Sequence, residues 1–137
     1  MNTQEIFDKV ACHLLTQNAK AEVSEPTLVG SVTTCRYRVP DGKRCAVGCL
    51  ITDSFYAPEL EGALFVSKHM VQNAVARSIG RELWSQEYAL LSELQSVHDT
   101  MVVVQWPTGL RTLAEAFGLN PAVVEEFAPS GAAEGGV

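Results

Sequence analysis

No apolar run of about 18 residues, the length a membrane-crossing helix requires, occurs among the 137 residues of this chain. The first residues do not combine a basic start, an apolar run and a small-residue cleavage site, so the expected setting is the cytoplasm rather than export by the usual route. Glycine-rich strand-to-helix turns are missing too: Gly48 and Gly62 stand alone, which excludes a phosphate-cradling loop. Basic character is scarce, with 10 Lys and Arg against 16 Asp and Glu and a net charge of −6. Bulk binding to DNA or RNA needs a basic footprint, so the balance argues against nucleic acid and allows a basic partner surface. There is no Cys-x-x-Cys pair, no internal repeat and no interdomain linker.

What is present is the composition of a globular domain, 47% apolar and 19% charged, long enough for one sizeable core. That domain is expected over residues 1–128. Residues 129–137 are mostly Gly, Ala and Ser and are expected to be a disordered tail. In a reducing cytoplasm Cys12, Cys35, Cys45 and Cys49 should be thiols.

The chain is organised around residues 35–51. Pro40-Asp41-Gly42 is a turn sequence: proline presets φ, aspartate bonds the backbone ahead of it, and glycine accepts the left-handed conformation. A hairpin is predicted there, with Val39 facing Lys43, Tyr37 facing Cys45 and Cys35 facing Val47. Alternation then puts Cys35, Tyr37, Cys45, Val47 and Cys49 on a core face, and Arg36, Arg38, Arg44 and Ala46 on a cationic one. Arg38 would stand opposite Arg44, and like charges so placed cost up to about 1 kcal/mol. Something must offset this: either carboxylates of the same chain, with Asp53, Glu59 and Glu61 nearby, or an anionic ligand held by guanidinium forks.

Elsewhere the pattern predicts helices. Asn2 and Glu5 form a capping box ahead of an apolar stripe from Ile6 to Leu15, giving a helix over 3–17. Residues 18–31 read as a loop, with a short extended piece at 27–29. A turn-rich passage with Phe55 and Tyr56 follows Ile51, with Pro58 opening one turn of helix, and a helix is expected over 64–78 on Phe65, Val66, Met70, Ala74 and Val75. Leu83 and Trp84 look like anchors between helices. A helix over 86–98 follows, capped by Ser85, then an extended β-branched segment over 101–105 that could add a strand. Trp106-Pro107 starts a helix on Leu110, Leu113, Ala114 and Phe117, stopped by Gly118, and Asn120-Pro121 starts a last short one through Phe127. The expected fold is α+β: a small antiparallel sheet built on the 35–51 hairpin, packed against four or five helices.

The run Cys35-Arg36-Tyr37-Arg38, Gly42, Cys45-Ala46-Val47-Gly48, Leu50-Ile51, Glu61-Gly62, Val97-His98-Asp99 and Trp106-Pro107 resembles a group of small uncharacterised proteins encoded by tailed bacteriophages and prophages. The resemblance covers roughly residues 3–118, and its most specific piece is the cysteine-bracketed hairpin. It implies a setting, the cytoplasm of an infected bacterium, and no catalytic residue.

Three chemistries are open. Cys35, Cys45 and Cys49 with His98 would make a three-cysteine, one-histidine zinc site, against which the spacing offers no tight knuckle and core thiols are the simpler reading. Cys45 or Cys49 with His98 as base and Asp99 as orienting group would make a thiol nucleophile, although neighbours on a helix end point apart, and His98 there also suits the negative end of the dipole. Arg36, Arg38 and Arg44, roofed by Phe55, Tyr56 and Trp106, would make an anion site, for instance for a nucleotide signal, against which those rings are more simply core. The favoured expectation is a non-enzymatic phage protein, without metal or cofactor, that binds a host factor of defence or regulation. Its surface would include those arginines or the acidic helices. The alternatives are capture of a small anionic ligand and a thiol- or zinc-dependent enzyme.

Overall fold

The structure, a computed structural model, describes residues 1–62 and 69–127. Five helices and one two-stranded antiparallel sheet occur among them. Helix α1 is Thr3–Gln17, and its start is the capping box read from the sequence: Asn2 Oδ1 accepts Glu5 N–H at 2.8 Å and Glu5 Oε1 accepts Asn2 N–H at 2.9 Å. Its stripe of Ile6, Phe7, Val10, Ala11 and Leu14 is fully buried. Burying each of the larger of these contributes roughly 1.5–3 kcal/mol. Asn18, left-handed at φ 51°, closes the helix through its N–H to Leu14 O.

The sheet is not where the turn chemistry pointed. Strands β1, Glu22–Thr27, and β2, Gly30–Cys35, form the hairpin, with Glu22 opposite Cys35 and Thr27 opposite Gly30. They replace the predicted loop over 18–31, and Leu28-Val29 is the turn. At 35–51 the expected loop exists, and the register holds without strands only as far as Tyr37 and Cys45: Val39 N–H bonds Lys43 O at 3.0 Å, Cys45 N–H bonds Tyr37 O at 3.3 Å, and Arg38 faces Arg44 in an isolated bridge. Cys35 faces Glu22 rather than Val47, and Ala46 is buried rather than on the arginine face. After that one bridge the chain turns into a short 3-10 turn, Gly48–Leu50, and Gly48 passes so close to Tyr37 that a ladder has no room to continue. Two more 3-10 turns follow, Asp53–Phe55 and Pro58–Leu60.

Helix α2 is His69–Ile79 and buries Val71, Ala74 and Val75, while Met70 is exposed. The earlier part of the predicted helix, with Phe65 and Val66, lies outside the described residues, as does the 129–137 tail. Helix α3, Ser85–Thr100, runs two residues past its predicted end. Of the two expected anchors ahead of it, Leu83 is buried and Trp84 is half-exposed beneath the Arg81 guanidinium, 4.3 Å away. Glu87, wholly buried, receives two bonds from Arg81 at 2.7 and 2.8 Å, Trp84 N–H at 2.8 Å and Thr3 Oγ1–H at 2.8 Å. This knot ties the start of α1 to the start of α3.

The β-branched segment at 101–105 is not a strand but leads into a 3-10 turn, Val103–Gln105, with Val102 and Val104 facing solvent. Helix α4, Trp106–Ala116, and helix α5, Ala122–Phe127, complete the body. Helix α1 packs against α3, α4 and α5, α3 lies along α4, and α2 closes over the turns between residues 48 and 55.

Candidate functional site

The arginine face is built on the Pro40-Asp41-Gly42 loop. Gly42, at φ 98°, bonds back to Val39 O, and Asp41 takes both the backbone N–H and the Nζ of Lys43. The end of α1 holds the second limb: Gln17 Oε1 accepts Arg44 N–H, while Gln17 Nε2 and His13 Nε2 donate to Arg44 O. Arg38 and Arg44 then converge on one oxygen, Asp53 Oδ1, at 2.8 and 3.4 Å. Arg38 also donates to Ile51 O at 2.6 Å and lies 4.3 Å over the Tyr56 ring. Glu61 supports this arrangement by accepting Tyr37 N–H, Arg38 N–H and the Tyr56 hydroxyl. Burial and then that carboxylate push the Tyr56 phenol up to about 12.

Same-chain carboxylates therefore offset the opposed arginines, as one of the two sequence readings expected. Arg36 leaves the group and pairs with Glu25 of β1 at 3.1 Å. Trp106 does not belong to it: the ring is fully buried, 5.6 Å from His98, with Nε1–H donated to Met101 O. An aromatic residue that opens a helix packs inward when the helix stripe does, and Leu110 is one turn further on the same buried face.

His98 and Asp99 sit with Cys35 rather than with Cys45 or Cys49. The candidate ligand atoms of Cys35, His98 and Asp99 lie within 4.8 Å of one another, an arrangement that suggests a triad or a metal site. The hydrogen bonds argue otherwise. Ala21 N–H donates to His98 Nε2 at 2.9 Å, so that nitrogen carries no proton, and Nδ1–H donates to Asp99 Oδ1 at 2.7 Å. Both nitrogens are occupied. A metal at Nδ1 would require the ring to lose its last proton, and a base needs a free lone pair.

The thiols are equally unsuited to nucleophilic work. Burial, followed by the Asp99 charge, pushes Cys35 up to about 11; burial pushes Cys49 up to about 12 and Cys45 further. All four cysteines are free, and Cys45 and Cys49 are core groups that bond Gly48 N–H and Ala46 O. What the cluster does is anchor the ribbon. Ala21 precedes β1 and Cys35 ends β2, so both roots are pinned to the last turn of α3, where Gln95 also donates to Asp99. Burial pushes the Asp99 carboxyl up, but bonds from His98 and Gln95 outweigh this and hold it below its ordinary range.

One surface feature was not read from the sequence. Helices α3 and α4 leave an open groove of about 550 Å³ between them. Its floor is Val97, Met101, Leu113 and Phe117, and its rim carries Ala89, Glu93, Thr108 and Thr112. Gly109 makes it possible: a β-carbon there would lie 2.5 Å from Met101 Sδ, so the glycine lets the thioether lie flat against α4. The available signal was that glycine inside an otherwise well-formed helix. No family model, curated protein or solved structure matches the chain.

Proposed function

We propose that the chain is a non-enzymatic binding protein that engages a protein factor of a bacterial host, in the phage setting that the resemblance implies, and that the α3–α4 groove is its docking surface. The observation that carries this is the groove itself: an apolar floor between two helices, with an adaptable methionine in it and small or short side chains along much of its rim. The arginine face is a weaker candidate for a protein partner because each guanidinium already meets a carboxylate of the chain. Glu93 at the rim and the net charge of −6 fit an amphipathic helix that carries lysine or arginine beside its apolar stripe.

A second reading, capture of a small anion, has one observation in its favour. Two guanidiniums share one carboxylate oxygen of Asp53, whose side chain is 83% exposed, so a phosphate could displace it. One set of measurements separates the two readings. Wild type, Thr112→Arg and Asp53→Asn are used to capture partners from host lysate and are melted with a nucleotide panel. The docking reading expects one captured protein, lost with Thr112→Arg while the melting midpoint is unchanged. It is overturned if capture ignores Thr112. A midpoint raised by a nucleotide, and raised further in Asp53→Asn, transfers the function to the arginines.

A further inference from the structure

The hairpin offers a surface of another kind, independent of the groove. Along β1 and β2 only Val23 and Cys35 are even half-buried, so the ribbon stands off the body with both faces in water. An isolated two-stranded hairpin is marginal in water; a third strand or a packed face is what makes it stable. Its root is fixed by His98, Asp99 and the Arg36 N–H bond to Ala21 O. Beyond that root, Val23 packs partly against the core and Glu25 pairs with Arg36; no other side chain of the two strands is even half-buried. Leu28 and Val29, at its tip, are 105% and 96% exposed, and Val32 in mid-strand is 50% exposed.

The two edges differ in a way that names the occupant. The β1 edge carries Glu22, Glu25 and Pro26, the residues by which sheets discourage pairing with other chains. The β2 edge carries Ser31, Val32, Thr33 and Thr34, without charge or proline and with three β-branched side chains. We propose that β2 pairs antiparallel with β2 of a second copy across a two-fold axis, giving a four-stranded sheet in the order β1-β2-β2-β1. An axis normal to the sheet keeps equivalent side chains on one side, so a strand pairs in a register that sets residues of like parity opposite each other. Centred on Val32, that register sets the two Val32 side chains together, Thr34 opposite Gly30, and each tip beside the other copy's strand root. The unguarded edges are then inside and both guarded ones outside.

A second copy satisfies this better than a foreign strand because the edge is its own complement: it has no charge to repel itself and its one apolar mid-strand residue lies on the axis. Sedimentation of the full chain tests the proposal, with Val32→Lys as the breaking variant and with Val32→Cys and Ser24→Cys compared under oxidation on a Cys12→Ser background. The expected results are a mass near twice 14.8 kDa for the wild type, the monomer mass for Val32→Lys, and a covalent dimer from Val32→Cys but not from Ser24→Cys. The lysine variant leaves the body untouched, and an unchanged far-UV spectrum checks that it folds. A monomeric wild type, a Val32→Lys dimer, or equal cross-linking of both cysteine variants would overturn it, the first leaving the edge to a strand of another protein.

Discussion

A β-carbon placed on Gly48 would lie 2.0 Å from the carbonyl oxygen of Tyr37 and 2.7 Å from its carbonyl carbon. Both are backbone atoms, so no side chain can swing aside to make room. The contact matters because Tyr37 O accepts Cys45 N–H and Tyr37 N–H is held by Glu61; moving Tyr37 disturbs the platform on which Arg38 is mounted. Gly48→Ala is therefore expected to destabilise the fold by about 1–3 kcal/mol, as overpacking does. A lowered denaturant midpoint with an unchanged slope checks this. A midpoint equal to wild type would mean that the turn at 48–50 has more room than the structure gives it. In the sequence Gly48 is merely a solitary glycine, since its reason is a neighbour eleven residues away.

Elements were legible to the extent that they bury one face. The helices over 3–17, 85–100 and 106–116 announced themselves because their apolar residues recur at helical spacing and face the core. The ribbon left no such trace. Glu22-Val23-Ser24-Glu25-Pro26-Thr27 does not alternate because only Val23 is even partly covered, and its proline and the following glycine read as loop residues. The Pro40-Asp41-Gly42 turn was read correctly and its strands were not, since turn chemistry fixes a loop while strand length depends on what lies alongside. At the site, the chemistry of Arg38 and Asp53 was legible from proximity; the link from His98 to Ala21, 77 residues apart, was not. That link predicts an element-scale effect. His98→Ala removes the acceptor of a buried N–H, which costs about 1–3 kcal/mol, and leaves a cavity beside Trp106. Amide exchange should accelerate over residues 22–35 by more than the global loss of stability accounts for, with α1 following the global loss alone. Uniform acceleration across both elements would show that the ribbon is not hung on His98.

At the scale of the whole molecule, the ionisable groups bound stability from both sides of neutrality. His13 donates Nε2–H to Arg44 O, but burial dominates and lowers its pKa below 6.5, with the charges of Arg44 and Lys9 adding to the effect. Below that value the unfolded chain takes a proton that the folded one refuses, so stability falls as pH falls. Glu87 acts next. Burial pushes its carboxyl up, yet the bonds from Arg81, Trp84 N–H and Thr3 prevail and set it below 4.5. Its stabilisation is complete above that value and is lost as pH drops through the lowered one. On the alkaline side, Cys35 and Cys49 are raised from 9.0 to about 11 and about 12. Unfolded thiols ionise first, so stability declines above pH 9. The thermal midpoint should therefore be flat between pH 6.5 and 9, with an acid shoulder ahead of the steeper carboxylate loss. His13→Gln keeps an N–H for the Arg44 carbonyl and removes the titration. It should erase the shoulder and leave the steeper limb where it was; a shoulder that survives would assign the acid sensitivity to another histidine.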